Sequence, residues 1–448
     1  MDGLTAPLVR FMERYYPDLF LFIFIMTLAT FFFAWWFADY PPQQIVTAWG
    51  SSLQDILAFS MQMALMVMIS HALAHTDAVQ RLLQRLCSWP NSQFQAYSFV
   101  VLIVGIICFF SWPLGVIAGG IIARKVAESA RDRGLKIHYP LLVAGAFCGN
   151  VIWHMGYSAS APLFVATENN SMIGLLGGVI PVTETVFTAW NLGLAAMVLI
   201  SISLLAALMR PADDAVIELL ADPEQYPEQQ PLQADPERPV SKLENSRAFS
   251  LLIGLCLLAY LVIWFTERGF TLNLNVVNWS FLALTLLLCR SAKHFMFLVE
   301  RAALAAGPLI LAYPFYAGII GVMTDSGMAS MMADWFAGIA SAQTLPMLAF
   351  ACAMVINLFI PSGGAQWMVQ GPIFIEAATD MGVDLPLIVM AIAYGDQLTN
   401  LLQPLPAIPL LALAGLRLKH IMGYSLVFFV VATLILGAGF ALVCIASV

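Results

Sequence analysis

Runs of about 20 apolar residues, separated by short polar segments, recur along the chain, and that is the length a helix needs to cross the hydrocarbon core of a bilayer. They predict helical spans at 19–38, 55–74, 185–209, 248–266, 275–289, 303–323 and 421–445, with residues 39–54 as a loop. Two further segments, 139–166 and 386–414, are about eight residues longer than a straight span needs. Both carry polar residues in the middle, which predicts an unwound centre in each. Two others are short for two crossings: 93–123, broken by Ser111-Trp112-Pro113 and Gly115, and 345–371, broken by Pro361-Ser362-Gly363-Gly364. Each predicts a re-entrant helical hairpin, because non-helical backbone at membrane depth is tolerated only inside protein or beside a wet cavity.

Composition agrees with the pattern. Hydrophobic residues make up 61% and charged residues 10%, against roughly half and a quarter in a soluble domain. The predicted fold class is therefore an all-α polytopic membrane protein. Residues 19–38 read as a retained helix rather than a signal peptide, since no small-residue cleavage site comes after them.

Charge gives the runs a direction. The 19 Lys and Arg residues cluster at Arg10/Arg14, Arg81/Arg85, Arg124 to Lys136, Arg210 to Arg247, Arg290 to Arg301 and Arg417/Lys419. Such clusters stay on the cytoplasmic side. The N-terminus is then cytoplasmic, the C-terminus periplasmic, and only Arg268 is external. The first hairpin is flanked by Lys and Arg and the second by none, so the two enter from opposite faces. This predicts two inverted-topology repeats, each with four crossings and a hairpin. The expected domains are 1–209, a first transmembrane repeat; 210–247, an acidic, Pro-rich cytoplasmic linker; 248–266, a linking transmembrane helix that inverts the second half of the chain; and 267–448, the second repeat. Landmarks recur at matching offsets: Thr76-Asp77 with Thr324-Asp325, Pro113 with Pro361, Gly115 with Gly363, and, after a two-residue slip, Gly149-Asn150 with Gly395-Asp396.

Several function classes drop out. No basic stripe suits nucleic acid. No Walker motif, HExxH or GxSxG is present, which argues against ATP drive and against an enzyme. The seven cysteines are scattered without a CxxC, so neither a metal nor a redox cofactor is expected. Asp77 and Asp325 read as helix caps.

Inverted repeats place substrate near the midplane, between broken helices whose N-termini can hold an anion. The four breaks supply the candidate substrate-binding residues: Ser111, Trp112 and Gly115 in the first hairpin; Asn150, His154, Ser158 and Ser160 in the first long segment; Ser362, Gly363, Gly364, Gln366 and Trp367 in the second hairpin; and Thr399 and Asn400 in the second long segment. Asp396 is the one carboxylate inside an apolar span, and such a group is functional by default. It is the candidate ion-coupling residue. His154 otherwise reads as a hydrogen-bonded packing residue, and the glycines as helix-packing surface. With no Lys or Arg at any break, an anion would be held by amides and hydroxyls, which suits a small, weakly charged molecule.

The stretches Pro361-Ser362-Gly363-Gly364-Ala365-Gln366-Trp367-Met368-Val369-Gln370-Gly371-Pro372 and Ala391-Ile392-Ala393-Tyr394-Gly395-Asp396-Gln397 resemble the bacterial short-chain fatty acid transporter family, of the acetoacetate/butyrate permease type. The resemblance runs over essentially the whole chain. It places the chain in the ion-transporter superfamily of inverted repeats, re-entrant hairpins and elevator-type motion. It implies a multi-pass protein of the bacterial inner membrane that takes up a short-chain monocarboxylate with a proton or sodium ion, and a homodimer, as relatives form. Sodium-coupled relatives in the wider superfamily carry Ser-Asn-Thr at the hairpin tips. The tips here read Ser111-Trp112-Pro113 and Pro361-Ser362-Gly363, which favours the proton. A cation/proton antiporter of the same superfamily is the alternative expectation.

Overall fold

A computed structural model of the chain describes residues 11, 14, 15, 17, 19–166, 172–212, 216–219, 239–269 and 274–447. In chain order the helices are α1 (Leu19–Phe37), α2 (Pro42–Ser52), α3 (Leu57–Ala74), α4 (Asp77–Cys87), α5 (Gln93–Phe110), α6 (Trp112–Asp132), α7 (Tyr139–Cys148), α8 (Ser160–Val165), α9 (Ile173–Leu176) and α10 (Ala189–Leu208). They continue as α11 (Pro239–Glu244), α12 (Arg247–Arg268), α13 (Leu274–Leu288), α14 (Ala292–Asp325), α15 (Met328–Gly338), α16 (Leu345–Asn357), α17 (Gly363–Met381), α18 (Leu385–Thr399), α19 (Pro404–Ala414) and α20 (Lys419–Ser447). Six of them are long and apolar enough to cross a membrane. No strand occurs among the described residues.

The helices pack in two groups, each drawn from both halves of the chain. In one, α14 lies against α1, α2 and α3, and α13 lies between α3 and α12. In the other, α5 and α6 pair with each other and with α7, while α16 and α17 pair around α18. Contacts of α3 with α6 and of α14 with α19 join the groups. Large apolar side chains face outward on α1, α12 and α20, among them Trp36, Leu252, Val262, Leu434 and Ile445. Polar side chains such as His154, Asn357 and Asp396 are fully buried. That distribution, apolar outside and polar inside, belongs to a multi-pass membrane protein.

Both long segments are broken. The first runs as α7, a 3-10 helix at Gly149–Met155 and then α8; the second as α18, a 3-10 helix at Asn400–Leu402 and then α19. Residues 139–155 and 387–401 are buried throughout. The hairpins turn sharply, at Ser111 between α5 and α6 and at 358–362 between α16 and α17.

Several expectations need correction. Residues 39–54 are not a loop: α2 occupies most of them, because Ile45, Ala48 and Ser52 form a buried face, with Ala48 and Ser52 against Gly321 of α14 and Trp49 against Gly318. The 303–323 span is the second part of a 34-residue helix that begins at Ala292; its basic residues lie on helix rather than loop. The second hairpin extends past residue 371 to Met381. The unwound part of 386–414 begins at Asn400, so Gly395 and Asp396 stay on regular helix. Asp325 ends α14, where a carboxylate cannot cap an N-terminus. Asp77 opens α4 but makes a two-pronged ion pair with Arg290, both contacts at 2.8 Å. Most of the acidic linker, 220–238, lies outside the described residues.

Candidate functional site

Trp153 and His154, in the 3-10 break after α7, are the hub on which the other broken segments converge. A 3-10 helix leaves backbone groups without the regular α-helical partners. Here one is met from across the chain: His154 N–H donates to Gln397 Oε1 at 3.1 Å. The two rings stack with centroids 3.9 Å apart.

The tip of the first hairpin reaches this hub from one side. Trp112 N–H, at the start of α6, donates to Ser158 Oγ at 2.9 Å. Tyr157 N–H donates to the Phe109 carbonyl at 2.7 Å, and the Trp112 ring lies 5.8 Å from that of Trp153. Gly156 is needed for the approach, since any Cβ there would run into the Phe109 backbone. The second tip arrives from another side. Gly363 opens α17, and a Cβ on it would meet the His154 ring and the edge of Trp153.

The third approach is charged. Asp396 Oδ2 lies 2.9 Å from His154 Nδ1, with both side chains fully buried. The pair is in ion-pair range but outside hydrogen-bond angles. His154 Nε2 accepts from Ala161 N–H at 3.4 Å, so a neutral imidazole carries its proton on Nδ1, facing the carboxylate. No Lys or Arg lies at the hairpin tips or at the breaks of the two long segments. The histidine is the one titratable group that touches Asp396 among the described residues.

On the pair and on the broken segments and hairpins beside it, ten buried polar atoms, three of them the pair's own, find no hydrogen-bond partner among the described residues. They sit on Asn150, Trp153, His154, Asn357, Gln366, Trp367, Asp396, Gln397 and Gln403. Buried polar groups are paired in nine cases out of ten or more, so such a concentration marks a place suited to a polar ligand. Trp153, Trp367 and Gln397 offer donors there; Asn150, Asn357, Gln366, Asp396 and Gln403 offer acceptors.

The sequence-derived residues divide in their surroundings. Trp112, His154, Ser158, Gly363 and Asp396 meet in the hub, and Asn150 precedes it in the same 3-10 turn. Ser111 is the buried pivot of the first hairpin. Gly115 faces the other arm of its own hairpin, against Cys108. Gln366 is tied within the second hairpin, its Nε2 donating to the Ala353 carbonyl at 3.0 Å and to Gln370 Oε1 at 3.1 Å. Trp367 packs on Gly371. Ser362 and Gly364 are exposed at the second tip, and Ser160 is half-buried at the start of α8. Thr399 and Asn400 are held by a residue that sequence reasoning missed. Asn357 Nδ2 donates to the Asp396 carbonyl at 2.7 Å, and to Thr399 Oγ1 and Asn400 Oδ1, each at 2.8 Å. Gln403 in turn donates to the Asn357 carbonyl. The signal was available: Asn357 is the one amide in the otherwise apolar α16. Asn191 was missed as well; its Nδ2 donates to the Met155 carbonyl at 2.9 Å, and Tyr394 Oη donates to its Oδ1 at 2.6 Å.

Comparison with known proteins agrees with the resemblance read from the sequence. The family described as "Short chain fatty acid transporter" matches residues 1–443. A protein of Escherichia coli (strain K12) named for short-chain fatty acid transport is 36% identical over 423 residues, 94% of each chain. One of the same name from Haemophilus influenzae is 31% identical over 428 residues, again 94% of each. Among solved structures, the Alcanivorax borkumensis YdaH transporter matches with a TM-score of 0.41 and 17% identity, over 88% of this chain and 86% of that one. MtrF of Neisseria gonorrhoeae matches with a TM-score of 0.38 and 14% identity, over 97% of each. Likeness at those scores carries no argument about this molecule. The sequence matches do, and the chain belongs to the short-chain fatty acid transporter family.

Proposed function

We propose that this protein carries a short-chain monocarboxylate such as acetoacetate or butyrate into the cell across the bacterial inner membrane, coupled to a cation, with the proton favoured over sodium. The observation that carries the reading is the buried His154–Asp396 pair, 2.9 Å apart, at the meeting point of both hairpin tips in a chain of this family.

The N-termini of α6 and α17 open at the tips and turn a positive helix end toward a carboxylate; at α6 the Trp112 amide is already taken by Ser158 and Pro113 has none, so the amides of the α17 tip are the donors in this reading. In this reading Ser158, Asn150, Thr399, Asn400 and the tip residues contact the bound substrate. Trp112 and Trp153 cover a short alkyl tail, and each buried methylene contributes only about 0.8 kcal/mol, so chain-length selection is shallow. Asp396 takes up the coupling proton, and His154 Nδ1 faces the same oxygen. Protonation lets the carboxyl lose its charge at the moment a substrate anion needs room beside it, because two carboxylates sharing one dry site cannot both stay ionised.

The transport cycle in this reading is of elevator type. The segments 1–209 and 267–448 act as inverted repeats, joined by the linker 210–247 and the helix 248–266. The N-terminus lies in the cytoplasm, the C-terminus in the periplasm, and two copies form the working unit. The two packing groups of helices are the natural fixed and moving bodies. No chemical conversion of substrate is involved.

Asp396→Asn tests the coupling role. The amide keeps the size of the side chain and removes its proton. Gradient-driven accumulation of labelled butyrate in proteoliposomes should be lost, while exchange of internal for external substrate persists. Accumulation at the wild-type level in the variant would remove Asp396 from the coupling step.

A further inference from the structure

The contact between His154 and Asp396 does not hold itself together. The two groups lie 2.9 Å apart but outside hydrogen-bond angles, so their separation is imposed by the groups that fix the two backbones. Two ties do this. In the first, His154 N–H donates to Gln397 Oε1 at 3.1 Å, and Gln397 follows Asp396 directly. The second runs through Asn191 and Tyr394, both fully buried and both unused in the proposed transport chemistry.

Asn191 lies in the first turn of α10, where its own N–H is accepted by the capping Thr188 Oγ1 at 3.4 Å. Its side chain meets three segments. Nδ2 donates to the Met155 carbonyl at 2.9 Å and to the Val186 carbonyl at 2.6 Å, and Oδ1 accepts from Tyr394 Oη at 2.6 Å. This fixes which way the amide faces, since a reversed amide would set its oxygen against both carbonyls. Met155 ends the 3-10 helix that carries His154, where carbonyls lack helical partners. Tyr394 is on α18, two residues before Asp396. Its ring is held edge-on by Phe440 and Trp190, with centroids 5.2 and 6.4 Å away. Gly395, the next residue, sits against α16, where a Cβ would strike the Phe350 carbonyl, so α18 is fixed to the second hairpin at the same point.

We propose that Asn191 and Tyr394 are positioning residues that set the distance between His154 and Asp396, a role that rests on the coupling function given to that pair above. Both ties join the first break to α18. The residues they use, His154 and Met155 in the break and Tyr394 and Gln397 on the helix, bracket the pair. Removing the Tyr394 hydroxyl opens the bracket and leaves Asn191 Oδ1 buried without a donor, which favours displacement. Gln397 alone then ties the break to α18 around the pair, and the imidazole and the carboxylate are free to part.

Tyr394→Phe deletes that hydroxyl and keeps the ring. Nuclear magnetic resonance of the full chain carrying isotope-labelled histidine, with His154 assigned by the signal lost in His154→Gln, reads the geometry with no substrate or gradient present. The Nδ1 resonance of His154 should move from its wild-type position in Tyr394→Phe. In proteoliposomes, gradient-driven accumulation of butyrate should fall on the order of tenfold, the worth of one buried hydrogen bond, while exchange stays within about twofold. Asn191→Leu should give the same pattern, and adding Tyr394→Phe to it should change little further, because the two residues act as one device. An unmoved His154 resonance in Tyr394→Phe would overturn the proposal. So would accumulation and exchange that fall in proportion, as a loss of folded protein would produce. Wild-type accumulation in Asp396→Asn is a different result: it would remove the coupling role, with the His154 resonance still deciding the positioning.

Discussion

Gly363 is the residue at which sequence, packing and function can be separated most sharply. It opens α17 against the His154 ring, and a methyl group there would overlap the imidazole. Gly364, one position on, has nothing within 4 Å of where its Cβ would lie. Both have ordinary negative φ, so the contrast is one of space alone. Gly363→Ala should cost about 1–3 kcal/mol, the range for overpacking a filled site. It should also impair transport, since His154 can yield only by moving relative to Asp396. Gly364→Ala should be neutral or slightly stabilising, because alanine is the better helix residue by up to about 1 kcal/mol. Thermal unfolding and substrate uptake of both variants check this, and equal behaviour of the pair would contradict the placement of the second tip.

At the scale of elements, the loop before α7 is pinned to the described fragment 216–219. Ile217 N–H donates to His138 Nδ1 at 3.0 Å, and Tyr139 N–H donates to the Ile217 carbonyl at 2.8 Å. With Nδ1 accepting, Nε2 carries the proton and donates to Tyr424 Oη at 2.9 Å. His138 N–H donates to Tyr97 Oη at 2.8 Å. The imidazole must be neutral for this, and burial pushes its pKa from the usual 6.5 down to about 4. The unfolded chain therefore binds a proton between those values that the folded chain refuses. Stability should fall by up to a few kcal/mol as pH drops from about 6.5 to about 4, then level off with respect to this group. A separate loss belongs below pH 4.5 to Glu128: burial raises its pKa, but hydrogen bonds from Lys125 and Arg124 outweigh that and hold it down. His138→Asn keeps an acceptor for Ile217 and has no proton to gain. Its melting temperature should decline less than that of the native chain between pH 6.5 and 4. Parallel curves would show that His138 does not control the latch.

The elements also show what a sequence can carry. The apolar runs announced most of the spans, because a bilayer imposes length and composition on each helix by itself. The breaks at Gly149 and in the hairpins were legible for the same local reason: glycine, proline and polar residues interrupt an apolar helix. α2 was not, because Pro42-Gln43-Gln44 reads as polar and its buried face acquires meaning only against the glycines of α14. The helix start at Ala292 was hidden behind charges that read as loop. Within the site, Asp396 stood out as a lone carboxylate. Its contact with His154 pairs residues more than two hundred positions apart, and no local rule reports it.

At the scale of the whole molecule, a largely apolar exterior encloses a core of amides, a histidine and a carboxylate, all supplied by interrupted helices. In the proposed reading a substrate and a proton complete these buried groups. The family match supplies the class of cargo, and the proposal assigns the holding of a small carboxylate to these residues without a fixed cation. Uptake of radiolabelled butyrate and acetoacetate into proteoliposomes bearing an imposed proton or sodium gradient tests this directly, with protein-free liposomes as control because protonated butyric acid crosses bilayers unaided. Saturable accumulation above the control, driven by the proton gradient, is the predicted result. Uptake no greater than in protein-free liposomes under either gradient, with sodium flux in its place, would contradict it and identify a cation antiporter instead.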